Sequence, residues 1–184
     1  MTEVTVRSLG EEDWREFKAI RLAALRDSPD AFAASADDEE GFEEDFWRLR
    51  VRRSTRLVAV RRDSDGNAES QPVGVVSLGQ GKDDEGRVAE IFGLWVAPDA
   101  RGTGVATKLV EASAERARRD GRTHVSYWVG TDNGRAVAFA SGIGFRPTDF
   151  RRPMRVTPGD DEDDEEEIAM VLPLGDDRAR PDVL

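Results

Sequence analysis

Leu94-Trp95-Val96-Ala97-Pro98-Asp99-Ala100-Arg101-Gly102-Thr103-Gly104-Val105-Ala106 runs from an apolar segment through a proline turn into a helical pattern. Residues 88–96 are apolar on both alternating faces, which reads as a strand placed centrally in a sheet, with Glu90 the one charge within it. Residues 98–102 read as a turn. A helix is expected over 104–120, with Leu109, Ala112 and Ala117 on its apolar side and Gly121 at its end. The first turn of a helix leaves backbone N–H groups unpaired, and the macrodipole favours an anion there. Glycines let the backbone approach a diphosphate without a side chain in the way, and Arg101 adds positive charge. Residues 101–106 therefore read as a diphosphate cradle; the plain alternative is a strand-to-helix turn that binds nothing. A dinucleotide fingerprint fits poorly, because its third glycine would fall at Thr107 and three strands of hairpin-like pattern precede the loop. A Walker loop fails, because no Gly-Lys-Ser/Thr follows the glycines.

Outward from this segment, residues 3–9 alternate polar and apolar and predict a strand. Trp14, Phe17, Ile20 and Ala24 recur at spacings of three and four, predicting a helix over 11–27 that Ser28-Pro29-Asp30 stops. A second helix is expected over 38–53, with Phe42, Phe46 and Leu49 on one face, and Trp14, Trp47, Phe42 and Phe46 in the core. Strands at 57–60 and 72–78 flank the turn signal Asp65-Gly66-Asn67 and suggest a hairpin. Beyond the central helix follow a strand at 124–129, an Ala-rich helix at 133–142, a strand opening at 144–147 and a closing strand at 167–174. The order predicts a single domain over 1–174, α/β or α+β with a largely antiparallel start, and a polar tail over 175–184.

Bulk composition bounds the chemistry. The chain has 184 residues, 38% hydrophobic and 35% charged, enough for one domain with a sizeable core. No apolar run reaches bilayer-spanning length and the first ten residues lack a signal-peptide pattern, so a cytoplasmic location is the default expectation. There is no cysteine, which excludes disulfides, thiolate nucleophiles and sulfur-ligated metals. The one histidine, His124, excludes a His-rich metal site and reads as structural or solvent-facing. Of the net charge of -11, eight acidic residues sit in the single run 160–167. No basic stripe points to nucleic acid. The acidic run reads as a solvated loop, with capture of a cationic acceptor as the functional alternative.

The loop together with Asn133, Ala136 and Phe139, followed by Gly144-Phe145, resembles the GNAT superfamily of acyl-CoA-dependent N-acyltransferases. The family's Arg/Gln-x-x-Gly-x-Gly/Ala core falls on Arg101, Gly104 and Ala106, and the likeness covers roughly residues 3–174 in order. The resemblance implies a mixed, mostly antiparallel sheet splayed between its fourth and fifth strands, with helices on both faces. It implies acetyl-CoA as co-substrate, with the pantetheine arm paired to the backbone of Leu94 and Val96. The diphosphate would be held by Arg101, Gly102, Thr103, Gly104, Val105 and Ala106, with further contacts from Asn133 and Phe139. No metal is implied. The acceptor is an amine on a small molecule or peptide, and a homodimer is compatible with the family.

A primary alkyl amine has a pKa of roughly 10 and arrives protonated, so a general base is useful. Glu90 is the candidate, at the head of a buried strand where desolvation favours the protonated form; the alternative is a carboxylate paired with a basic neighbour or facing solvent. A backbone N–H near Val96 is a candidate oxyanion donor. The family usually carries a tyrosine as general acid just after the Phe139 position, where this chain has Ala140. Ser141 and Tyr127, the one tyrosine, are the substitutes, with Tyr127 as a sheet core residue the competing reading. Trp95 and Trp128 read either as core or as acceptor-pocket lining. Without cysteine, a cysteinyl-enzyme intermediate is excluded and direct transfer in a ternary complex is the simple route. Two alternatives remain open: an acyl-CoA-binding module with impaired catalysis, and a dinucleotide-dependent oxidoreductase.

Overall fold

The computed structural model describes residues 2–63, 70–83, 85–154 and 165–175. In chain order the elements are β1 (Thr2–Ser8), α1 (Trp14–Asp27), α2 (Ala36–Glu40), α3 (Glu44–Arg53), β2 (Thr55–Asp63), β3 (Gln71–Gln80), β4 (Val88–Val96), α4 (Val105–Arg119), β5 (His124–Gly130), α5 (Gly134–Ile143), β6 (Arg146–Pro153) and β7 (Glu166–Pro173). The strand order is β1-β2-β3-β4-β5-β7-β6. β1–β2, β2–β3, β5–β7 and β6–β7 are antiparallel and β4–β5 is parallel, the mixed and mostly antiparallel sheet expected. The turn signal at 65–67, most of the acidic run and nearly all of the 175–184 tail lie outside the described residues.

Packing divides the chain into two units, Met1–Leu78 with Gly93–Ser113 and Gly79–Phe92 with Ala114–Leu184. In the first, α1 buries Trp14, Phe17, Ile20 and Ala24 as their spacing requires, with Leu22 and Leu25 added. The backbone N–H of Gly10 donates to the Asp13 carboxylate at 2.9 Å ahead of the helix, and at its end the Ser28 N–H donates to the Ala24 carbonyl. The expected helix over 38–53 is two helices, α2 and α3, interrupted between Glu40 and Glu44 at Gly41. That break resets the helical phase. Trp47 and Val51 are the buried residues of α3, while Phe46, expected in the core, is 42% exposed. Trp47 is fully buried and meets Phe17 edge-on at 5.9 Å between ring centroids. Val58, Val60, Val75 and Trp95 complete this core.

In the second unit, Val88, Ala89 and Ile91 of β4, Val125 and Val129 of β5, and Ala169 and Met170 of β7 are buried. The parallel ladder pairs Val88, Ala89, Glu90 and Ile91 with His124, Val125, Ser126 and Tyr127. β5 pairs with β7 along its whole length, His124–Gly130. The loop before β4 is closed by Asp83, whose carboxylate accepts from the backbone N–H of Arg87 at 2.6 Å and of Val88 at 3.0 Å. His124 is buried, with Nδ1 2.8 Å from the Thr123 hydroxyl. No helix among the described residues is long and apolar enough to cross a membrane.

Candidate functional site

The loop 101–106 lies wholly in the first unit. β4 hands over to it through the Ala97 N–H, which donates to the Val73 carbonyl at 2.8 Å, and a single 3-10 turn at Pro98–Ala100. Gly102 and Gly104 then take φ of +76° and +86°, the left-handed region that disfavours any Cβ. A Cβ built on either would meet no atom within 4 Å, so the space in front of both residues is open. Arg101, Gly102, Thr103 and Gly104 are exposed, whereas Val105 is 2% exposed and anchors the first turn of α4. Gly74 lets that turn sit close to the sheet: a Cβ there would lie 3.0–3.1 Å from Leu109, Val105 and the Trp95 carbonyl. The first backbone N–H groups of α4 have no partners within the helix by its geometry. An exposed helix start, two left-handed glycines and open space fit a diphosphate.

Arg101 is already engaged. Its Nε donates to the Val96 carbonyl at 3.0 Å and its Nη2 to the Asp27 carboxylate. Asp27 also accepts from Trp95 Nε1 at 2.9 Å, so this last residue of α1 gathers the end of β4 and the loop into one cluster. Hydrogen bonds from Trp95, then Ser28 and Arg101, hold the Asp27 carboxyl below its ordinary range. The sequence reading missed Asp27; its partners Trp95 and Arg101 lie far along the chain, and only its place just before Ser28-Pro29 marked it. Asp27→Asn keeps the shape and removes the charge. For a loop that holds a diphosphate, the expected result is a roughly three- to tenfold weaker affinity for the diphosphate-bearing ligand, read by calorimetric titration. Because its folded pKa is depressed, the native cluster is intact above the ordinary carboxylate range and is lost as pH falls through the depressed value. Leu94 and Val96 are half-buried, and Trp95 belongs to the first unit's core.

The remaining candidates lie in the second unit. Glu90 is half-buried, its carboxylate 3.7 Å from Arg152 Nη2. Arg152 donates from Nε to Glu167 at 2.7 Å and stacks 4.2 Å above the Trp128 ring. The ladder registers Glu90 with Ser126 and Ile91 with Tyr127. Successive strand side chains alternate, so Glu90 and Tyr127 fall on opposite faces of the sheet. Tyr127 packs edge-on against Phe145 at 6.2 Å. Burial first, and the Glu167 carboxylate second, push its phenol up, so it stays protonated through neutral pH. Asn133 caps α5, its side-chain oxygen accepting from the Ala136 N–H at 3.1 Å. Phe139 is half-buried, Ser141 is exposed on α5, and Ala140 is 1% exposed.

Two further features escaped the sequence reading. Gly93, inside β4 and just past the parallel ladder, takes φ +62°, a local break in strand geometry that its position within an apolar run could have signalled. A cleft of about 320 Å³ is lined by Gly130, Thr131, Asp132, Asn133, Met154, Glu165 and Glu166. Its walls come from separate elements, so no local motif announced it. Among the described residues no group of three or more metal-binding side chains occurs.

Comparison with known proteins agrees with this arrangement. Residues 14–145 match the model of the acetyltransferase (GNAT) family. An uncharacterized N-acetyltransferase of Methanocaldococcus jannaschii is 36% identical over 149 residues, covering 77% of this chain and 60% of the relative. An uncharacterized N-acetyltransferase of Archaeoglobus fulgidus is 39% identical over 67 residues, 36% of this chain and 42% of the relative. The chain thus spans less than two thirds of either relative's length. The fold matches a GNAT-family acetyltransferase from Streptococcus pneumoniae with a TM-score of 0.71 at 16% identity, over 94% of this chain and all of that one. It also matches a Salmonella typhimurium protein solved with its cofactor acetyl-CoA, with a TM-score of 0.66 at 19% identity, over 97% of this chain and 98% of that one. A family match over more than half its length, on a chain that carries the strand, glycine loop and helix described above, shows that this protein belongs to the GNAT acetyltransferase family.

Proposed function

We propose that this chain binds acetyl-CoA on residues 101–106 and transfers the acetyl group directly to a primary amine of a small molecule or peptide. The observation that carries the reading is the pair of left-handed glycines, Gly102 and Gly104, with open space before them at the start of α4. Acetyl-CoA is the co-substrate of the family, and when bound it supplies an activated thioester. In this reading the backbone N–H groups of 102–106 hold the diphosphate, and Leu94 and Val96 offer main-chain groups to the pantetheine arm. Asn133 and Phe139 give further cofactor contacts. Arg101 holds the loop to the end of α1 through Asp27.

Glu90 is the base that takes the ammonium proton, directly or through water, so that a neutral nitrogen attacks. The Val96 N–H is the donor for the charge that develops on the carbonyl oxygen. A thiolate, with a thiol pKa of roughly 8.5, leaves without full protonation, so the missing tyrosine at Ala140 is tolerable. Tyr127 and Ser141 are the remaining proton donors. Tyr127 sits on the face opposite Glu90, and Tyr127→Phe is expected to lower kcat by far less than the roughly hundredfold that a general acid supplies. A steady-state kcat near native in that variant assigns the ring to packing against Phe145; a hundredfold loss restores it as the acid.

The buried Ala140 favours one second reading, an acyl-CoA-binding module with impaired catalysis. Thermal-shift protection by acetyl-CoA combined with CoA release against a panel of amines separates the two. The transferase reading expects protection and turnover; the module expects protection without turnover. Protection by NAD and not by acetyl-CoA would overturn both.

A further inference from the structure

Two arginines in the first unit share one buried carboxylate. Arg21 of α1 donates from Nε and Nη2 to Glu39 of α2 at 3.0 and 3.1 Å, and Arg50 of α3 donates from Nη1 to the same carboxylate at 3.0 Å. The side chains are largely buried, with 17% of Arg21, 17% of Arg50 and 7% of Glu39 exposed. A guanidinium carries five N–H donors, and Glu39 takes two from Arg21. A third arginine, Arg56 of β2, is tied to the Arg50 carbonyl and the Ser77 hydroxyl. Burial foremost, then the charges of Arg50 and Arg21, bring its pKa down to about 9 against the weaker pull of Glu39. The surroundings of Arg56 are thus cation-rich. Arg21 lies over the Phe32 ring and Arg50 over the Phe17 and Trp47 rings, which helps to hold the two guanidiniums, but Glu39 is the one carboxylate among the described residues that both of them contact, and a further anion would balance the cluster.

The cluster adjoins one backbone position of β4. A Cβ built on Gly93 would lie 4.0 Å from Arg21 Nη1 and 3.8 Å from the Ser77 hydroxyl, with no closer neighbour. Gly93 precedes Leu94 and Val96. Where the diphosphate sits at 101–106 and the pantetheine arm runs back along Val96 and Leu94, the thioester end arrives at Gly93; the argument at this step rests on the proposed function above. Arg21 Nη1 then stands within a few bonds of the reacting nitrogen. An anion held there is attached to the acceptor close to its amine.

We propose that Arg21, backed by Arg50 and Glu39, is a specificity residue that grips a carboxylate carried by the acceptor a few bonds from its amine, as in a free α-amino acid. A bidentate or charge-assisted hydrogen bond of this kind is worth roughly ten- to hundredfold in affinity. Neutral amines of the same shape lack it.

The test uses the full chain with acetyl-CoA. L-Alanine, L-methionine and L-phenylalanine are compared with their three amides, and a glutamyl dipeptide amide with its glutaminyl counterpart. CoA release gives kcat/KM, and calorimetric titration in the presence of CoA reads acceptor binding without any chemistry. The expected result is at least about a tenfold preference for a carboxylate over its amide, carried by KM. In Arg21→Gln the carboxylate falls to the level of the amide, and Arg21→Lys recovers part of the preference. Preference among the free amino acids marks the α-carboxylate as the source; preference confined to the glutamyl dipeptide marks a side-chain carboxylate, and both support the subsite. Amides bound and used as well as carboxylates by the native chain overturn it, with no variant required. Failure of the transferase reading looks different: acetyl-CoA then gives no thermal protection, while titration of carboxylates against amides still reads the arginine cluster, and equal or absent binding there overturns the proposal.

Discussion

Gly104→Val is expected to abolish productive acetyl-CoA binding while leaving the chain folded. Gly104 sits at φ +86°, where an L-residue costs roughly 1–2 kcal/mol and a β-branched one more. No atom lies within 4 Å of the built Cβ, so the β carbon itself meets nothing in the protein. In a domain of this size the strain lowers Tm by about 2–8 °C. The isopropyl group instead occupies the space assigned to the diphosphate and turns the first N–H groups of α4 away from it. A rise of at least about a hundredfold in the acetyl-CoA Kd is expected, equivalent to roughly 2.7 kcal/mol. Gly142→Ala is the control: it lies in α5, has open space and ordinary helical backbone, and is expected to keep native affinity. Calorimetric titration checks both. A folded Gly104→Val variant with native affinity would mean the loop is only a turn.

Glu90→Gln has the second large expected effect, on kcat rather than on binding. Glutamine preserves volume and hydrogen bonding but cannot accept the ammonium proton. General-base removal costs roughly 10²- to 10⁴-fold, and the leaving thiolate needs no help, so most of that loss falls on the attacking step. The acetyl-CoA Kd should remain native, because the proposed diphosphate and pantetheine contacts do not involve Glu90. A kcat within threefold of native would return Glu90 to the other reading, a strand carboxylate whose task is its 3.7 Å approach to Arg152.

How far the sequence could be read depended on how local each feature is. The strand, glycine turn and helix start around 94–106 were legible because they are written in consecutive residues between an apolar run and a helical period. α1 was legible because Trp14, Phe17, Ile20 and Ala24 hold one phase for its whole length. α3 was legible only in part, because the interruption at Gly41 shifts that phase and leaves Phe46 outside the core while Trp47, expected there, stays buried. Asp27 was invisible for a different reason: it meets Arg101 across 74 positions of sequence, and no periodicity encodes such a contact. Glu39 carries no local signal of its contacts, and only the fold brings Arg21 and Arg50 to it. The opposite-face placement of Glu90 and Tyr127 needed the β4–β5 register, which composition does not fix.

The claim beneath all of these is that main-chain amides at the head of α4 grip a diphosphate. A co-crystal structure with acetyl-CoA measures it most directly. The prediction is diphosphate oxygens within hydrogen-bonding distance, about 2.7–3.2 Å, of backbone nitrogens among residues 102–106. Coenzyme bound elsewhere on the chain, with this loop contacting no phosphate at saturating concentration, would contradict it.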